Sequence, residues 1–77
     1  MYLEIYTPDQ KIFEGEVSSA TFPGADGSFQ ILDNHAPLIS ALKQGKIKIK
    51  KDGNEEFFDI NGGVIEVQEN KVLILAE

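Results

Sequence analysis

Ser28, Asp33, His35 and Ser40 bring the side-chain types of hydrolytic chemistry into one short stretch, around the only histidine of the 77-residue chain. In a serine triad a base takes the hydroxyl proton and a carboxylate fixes the base's tautomer. Asp33 and His35 stand two residues apart, so on an extended segment they point the same way. No G-x-S-x-G turn presents a serine, and no helix N-terminus offers donors for an oxyanion. The stretch reads as a loop whose histidine bonds backbone or meets a partner, not as a catalytic centre. Metal chemistry fares no better. Asp26 and Asp33 are separated by apolar Phe29, Ile31 and Leu32, without the alternating oxygen ligands or closing Glu of a calcium loop. Asp26-Gly27 and Asp33-Asn34 read instead as turn and Asx-type corner. With no cysteine and a single histidine, zinc, iron–sulfur and haem ligation lack their ligands.

The cations narrow the partners. All seven are lysine, and 13 acidic residues leave a net charge of −6, which opposes approach to nucleic acid or anionic lipid. No arginine fork is available to grip phosphate. The stripe Lys46, Lys48, Lys50 and Lys51 lacks the interleaved aromatics on which bases would stack, and reads as a solvent face protecting an edge strand. A lysine near a hairpin tip also suits lipoyl or biotinyl carrier domains, but Lys50-Lys51-Asp52-Gly53 lacks their flanking motifs. Pro23-Gly24-Ala25-Asp26-Gly27 has the glycines of a phosphate loop without its Lys-Ser/Thr. No cofactor and no small-molecule substrate is expected.

The elements that must position these residues are strands. Ile47 and Ile49 alternate with lysines, and Leu3 and Ile5 alternate with Tyr2, Glu4 and Tyr6, which is period two. Val64 to Gln68 and Glu55 to Ile60 read similarly. Val72-Leu73-Ile74-Leu75 is apolar on both faces and predicts a buried central strand. Turn chemistry falls between the runs at Thr7-Pro8-Asp9, Asp52-Gly53, Asn61-Gly62-Gly63 and Glu69-Asn70. Leu38 to Lys43 is the only weakly helical piece. The length predicts one domain over residues 1–77, with a core made marginal by its size unless the sheet closes or a partner covers it. The opening M-Y-L-E-I-Y carries no signal-peptide pattern, and nothing approaches the ~20 apolar residues of a membrane span. No targeting segment and no membrane insertion are expected.

Four motifs follow one another at characteristic spacing: I-F-E-G-E-V from Ile12, F-P-G-A-D-G from Phe22, H-A-P-L-I-S-A-L-K-Q-G from His35 and N-G-G-V-I-E-V-Q-E-N-K-V-L-I-L-A from Asn61. Together they resemble the N-terminal domain of the epsilon subunit of bacterial and chloroplast proton-translocating ATP synthases, the counterpart of mitochondrial delta. The resemblance covers essentially the whole chain. It implies an all-β fold, a flattened sandwich or barrel of two sheets with ten strands. It implies a non-catalytic rotor subunit at the foot of the central stalk, between the gamma subunit and the ring of c subunits. The location implied is the cytoplasmic face of a bacterial plasma membrane, or the stromal side of a thylakoid.

By the same resemblance Ser28, Phe29, Gln30, Ile31, Leu32, Asp33 and Asn34 match the loop facing the c ring, while His35, Ala36, Pro37, Leu38, Ser40 and Leu42 match a segment near gamma. A buried imidazole between Asn34 and Pro37 could equally hold the loop's backbone. Family members often have Glu-Leu-Gly ahead of Pro-Gly-His, where this chain has Ser28-Phe29-Gln30 and Asp33-Asn34-His35. Members commonly continue into a C-terminal helical hairpin that can inhibit ATP hydrolysis; this sequence stops at Ala76-Glu77 and is expected to lack that lever. A small all-β carrier or ligand-binding domain is the competing expectation, and a small hydrolase the third.

Overall fold

The computed structural model describes residues 1–77 as nine strands and no helix. These are β1 (Tyr2–Tyr6), β2 (Lys11–Glu16), β3 (Ser19–Gly24), β4 (Gly27–Leu32), β5 (Leu38–Leu42), β6 (Gly45–Lys51), β7 (Asn54–Ile60), β8 (Gly63–Gln68) and β9 (Lys71–Ala76). Period-two alternation sets most of them. Leu3 and Ile5, Ile47 and Ile49, Ile65 and Val67, and Val72 and Ile74 all point inward and are buried.

The hydrogen-bonded path runs β2-β1-β9-β8-β5-β3-β6-β7, with β4 added beside β3. Every pairing is antiparallel except that of β1 with β9. The path bends between β5 and β3, which share only the pair Gly24 and Leu42. The result is two layers, β2-β1-β9-β8-β5 facing β4-β3-β6-β7. Along the other side Phe13 of β2 meets Phe58 of β7 with ring centroids 5.4 Å apart, so side chains close the margin that backbone leaves open. Between the layers lie 16 buried apolar residues, with Phe22, Leu3, Ile5, Ile31, Ile47, Ile49, Ile65 and Ile74 the largest. No buried side-chain polar atom lacks a partner.

Turn chemistry fixes the registers. Asp52 and Gly53 have φ of 52° and 81°, and Glu69 and Asn70 have φ of 51° and 60°, so two-residue hairpins join β6 to β7 and β8 to β9. Gly63 sits at φ 150°, where an added Cβ would lie 2.4 Å from the Leu75 carbonyl oxygen. Only glycine lets β8 enter beside β9 there.

Four expectations need correcting. The sandwich has nine strands, not ten. The segment Leu38 to Lys43 is not helical: its first five residues form β5, because pairing with β8 from Leu38–Val67 to Leu42–Gly63 satisfies a backbone that one helical turn would leave open. The β9 strand is central, between β1 and β8, yet it is buried on one face only, with Leu75 53% exposed. The lysine-rich β6 is not an edge strand, since β3 and β7 flank it; the edge is β7.

Candidate interaction surfaces

The β4 strand splits its residues between two faces. Phe29 and Ile31 turn inward, Phe29 against Phe22 at 5.6 Å between centroids and Ile31 into the core. Ser28, Gln30 and Leu32 turn outward, and Leu32 keeps 54% of its surface exposed. Ser28 stands beside the β3–β4 turn, whereas Leu32, Asp33 and Asn34 stand at the opposite end of the sandwich, some five residues or about 17 Å further along an extended strand. The candidate ring-facing set is therefore a ledge along one edge rather than a single loop tip.

The corner after β4 is tied down at two points. Asn34 takes φ 61°, and its N–H donates to Asn70 Oδ1 at 2.8 Å. The Met1 ammonium donates to Asp33 Oδ1 at 2.6 Å and to the Val17 carbonyl at 3.2 Å, with Glu16 Oε2 at 3.4 Å. Its pKa is raised, chiefly by the hydrogen bond to Asp33, although partial burial opposes the rise. The carboxylate that a triad would need for His35 is thus engaged elsewhere. His35 itself is exposed, not buried, and its Nδ1 meets the Ala36 carbonyl at 2.7 Å, which places the proton on that nitrogen. The imidazole holds a local backbone bend at the surface. Ser40 Oγ reaches only the Ala41 carbonyl, at 3.5 Å.

Further along, β5 distributes its residues in a way the motif alone did not reveal. Ala36 and Pro37 are exposed in the loop, Leu38 and Ser40 are half-buried, and Leu42 belongs to the core at 5% exposure. The outward positions are Ile39, 72% exposed, and Ala41. Directly paired residues share a face, so register extends this surface across the layer. Ala41 pairs with Val64, Val64 with Leu75, and Leu75 with Tyr6. The neighbouring row reads Ile39, Glu66, Leu73 and Glu4. An apolar strip thus crosses four strands on the outside of the β2-β1-β9-β8-β5 layer, with Val64 44% and Leu75 53% exposed. The signal for it lay in the sequence as apolar residues at outward parity, Ile39, Val64 and Leu75.

The strip is bordered by acid. Glu4 and Glu66 lie within its second row, and a shallow hollow beyond them is lined by Tyr2, Glu4, Glu66, Gln68, Glu69, Lys71, Val72 and Leu73. On the β1–β2 side Glu14 accepts from both Lys11 Nζ, at 2.7 Å, and the Tyr2 hydroxyl, while Tyr6 donates to Glu4. Lys11, then Tyr2, hold the Glu14 carboxyl below its usual range, and the Tyr2 phenol is pushed up to about 12, first by its bond to Glu14. The opposite layer carries the stripe of Lys46, Lys48, Lys50 and Lys51 on β6. Lys46 pairs with Asp59 at 2.8 Å and Lys48 with Glu55 at 3.7 Å across β6 and β7, and Lys51 lies over the Phe13 ring at 5.9 Å. Two of the stripe's four charges are thus met within their own layer.

Comparison with known proteins agrees with the motifs. A family model described as the ATP synthase delta/epsilon chain, beta-sandwich domain, matches residues 1–77. The ATP synthase epsilon chain of Chlorobium limicola is 49% identical over 76 residues, covering 97% of this chain and 86% of that protein. That of Caulobacter vibrioides is 38% identical over 77 residues, covering 100% and 90%. That of Nitratiruptor sp. is 49% identical over 97% of this chain, but the match covers only 59% of its own length. Among solved structures, a chain of the Euglena gracilis mitochondrial ATP synthase (OSCP/F1/c-ring) superposes with a TM-score of 0.90 at 23% identity, covering 96% of this chain and 48% of that one. A chain of the Tetrahymena thermophila mitochondrial ATP synthase central stalk and c-ring gives 0.82 at 22%, covering 97% and 61%. At such identities these two speak for the fold alone. The match over the full chain and the identity to epsilon chains carry the assignment: this chain belongs to the ATP synthase delta/epsilon family, through its β-sandwich domain.

Proposed function

We propose that this chain, as one domain over residues 1–77, is a non-catalytic subunit of the central stalk of a proton-translocating ATP synthase, joining the gamma subunit to the c ring. The observation that carries the reading is the exposed apolar strip of Ile39, Val64 and Leu75 on a member of this family. A monomer gains nothing from such a surface, whereas a subunit that completes its burial on docking does. Gamma docks on this strip and on the adjoining His35–Pro37 loop. The acidic margin at Glu4 and Glu66 calls for lysine or arginine around an apolar centre on gamma.

The c ring meets the other layer, along Ser28, Gln30 and Leu32 and at the Asp33–Asn34 corner. The outer faces of the two layers point in opposite directions, so both partners can be held at once. Rotation passes between them through a body whose strands are cross-bonded by 39 backbone hydrogen bonds and packed on a continuous core. The protein works as a peripheral subunit of a membrane-associated complex, with no cofactor and no reaction of its own.

Co-elution with purified gamma subunit, followed by titration calorimetry, tests this. Stoichiometric binding with negative ΔCp is expected, because apolar surface leaves water on docking. No binding to folded gamma would overturn the reading and return attention to the carrier alternative, in which intact mass would rise at Lys50 or Lys51 after exposure to a lipoyl or biotinyl ligase.

A further inference from the structure

We propose that Asn70 is a positioning residue: its side-chain amide holds the β4–β5 corner against the β8–β9 hairpin, and so sets the pose of the exposed His35–Pro37 loop assigned above to gamma. The turn itself does not call for asparagine. Glu69 and Asn70 fill the two central positions of the hairpin at φ 51° and 60°, and the second of these is most often glycine. An asparagine there adopts the same left-handed backbone and brings a side chain with it. Asn70 is half-buried beside exposed Glu69, with that side chain turned toward the corner, where Oδ1 accepts the Asn34 N–H at 2.8 Å.

Two backbone ties fix the hairpin before it reaches the corner. Gln68 pairs with Lys71, and the Asn70 carbonyl accepts the Tyr2 N–H at 3.1 Å, which locks the turn to the start of β1. The side-chain amide is therefore presented from a rigid base. On the other side, the β5–β8 ladder ends at the pair Leu38 and Val67, and Pro37, which has no N–H to give, stands just outside it. His35, Ala36 and Pro37 are all exposed and off the sheet. They form a three-residue span held at one end by the ladder and at the other, most closely, by the bond between Asn34 and Asn70. The contact of His35 Nδ1 with the Ala36 carbonyl, at 2.7 Å, closes the bend within the span but ties it to no other strand. Asn34 occupies φ 61°, a region sparsely populated by residues that carry a Cβ, and offers its N–H to Oδ1 from that conformation. Removing the acceptor frees Asn34 to return to commoner conformations, and the loop's first end moves with it.

The proposal rests on the stalk reading for its consequence, and the two fail separately. Asn70→Gly removes the acceptor and keeps a residue that takes φ near 60° freely. Asn70→Asp keeps an acceptor oxygen in place and serves as the rescue. Amide hydrogen exchange is followed by NMR on the free chains, and binding to purified gamma by calorimetry. In Asn70→Gly, exchange at Asn34 is expected to quicken about three- to tenfold, the loss of one hydrogen bond, while buried Ile65 and Ile74 keep their protection. Affinity for gamma is expected to fall by a similar factor, since only the fraction of molecules with the loop in place then binds. Asn70→Asp should restore both. Unchanged exchange at Asn34 in Asn70→Gly would overturn the proposal. So would an equal loss of protection at Ile65 and Ile74, because the hairpin would then support the whole fold rather than the corner. Wild-type affinity in a variant whose Asn34 exchanges faster would overturn it as well, since the bond would then be structural only. A wild-type chain that fails to bind folded gamma would sink the stalk reading, and exchange at Asn34 would still decide whether Asn70 sets the corner.

Discussion

Truncating Ile39 tests the proposed docking face apart from the stability of the fold. Ile39 keeps 72% of its surface in the free chain. Burying an entire isoleucine side chain is worth about 1.5–3 kcal/mol, so covering what remains exposed is worth about 1–2 kcal/mol. Ile39→Ala is therefore expected to weaken binding to gamma by about 5- to 30-fold. Its effect on folding should stay within about 0.5 kcal/mol, because little of the side chain is buried on folding. Ile65 is the control. It lies on neighbouring β8 at the opposite parity and is fully buried, and Ile65→Ala should cost about 2–5 kcal/mol of stability. Calorimetry against gamma and urea unfolding monitored by circular dichroism read the two quantities separately. Wild-type affinity in Ile39→Ala, Val64→Ala and Leu75→Ala alike would refute the docking face, since these three hold the most exposed apolar surface on it.

Other outcomes follow from the same packing. Phe22→Ala, at a fully buried ring packed at a tilt against Phe29, should cost about 3–5 kcal/mol, most of what a domain of this size possesses, and a collapsed urea midpoint would report it. Gly63→Ala forces a Cβ onto the Leu75 carbonyl at φ 150° and should destabilise by at least about 1–3 kcal/mol; an unchanged midpoint would show that β8 can shift without penalty. Tyr2 should titrate near 12, read from phenolate absorbance, and Glu14→Gln should bring it back toward 10. The sign follows from the direction: the raised phenol favours the fold while protonated, so its contribution is complete below about pH 10 and fades as pH climbs toward 12. Glu14, lowered chiefly by Lys11, works the other way, with its contribution present above the ordinary glutamate range and lost as pH falls through the depressed value.

The fold was legible because strand period and turn chemistry are both local. Lys46 to Lys50 alternates without error, and Asp52, Gly53 and Asn70 adopt the positive φ that their residue types favour, with Glu69 carried into the same turn as Asn70. What escaped was set by distant partners. Leu38–Leu42 has no strong alternation of its own, and only β8, some 25 residues later in the chain, makes a strand of it. The position of β6 as an inner strand likewise depends on β3 pairing Ser19 with Lys50, a contact no local window contains. A lysine-studded strand looks like an edge until another strand is found beside it.

The proposed interaction surface escaped for a different reason. Alternation separates the two faces of a strand but cannot say which face is inside, and a shift of one residue exchanges them. In Leu38-Ile39-Ser40-Ala41-Leu42 apolar residues occupy both parities, so the motif offered Leu42 as readily as Ile39. The paired strand removes the ambiguity: Ser40 stands opposite buried Ile65, whereas Ala41 stands opposite exposed Val64. Val64 and Leu75 are ambiguous for the same reason, since an apolar residue kept outward for a partner has the composition of a core residue. Their outward parity across three neighbouring strands is what distinguishes them. A single exposed isoleucine is ordinary on a monomer, but aligned apolar residues on β5, β8 and β9 form a contiguous surface, and that contiguity is what supports the docking proposal.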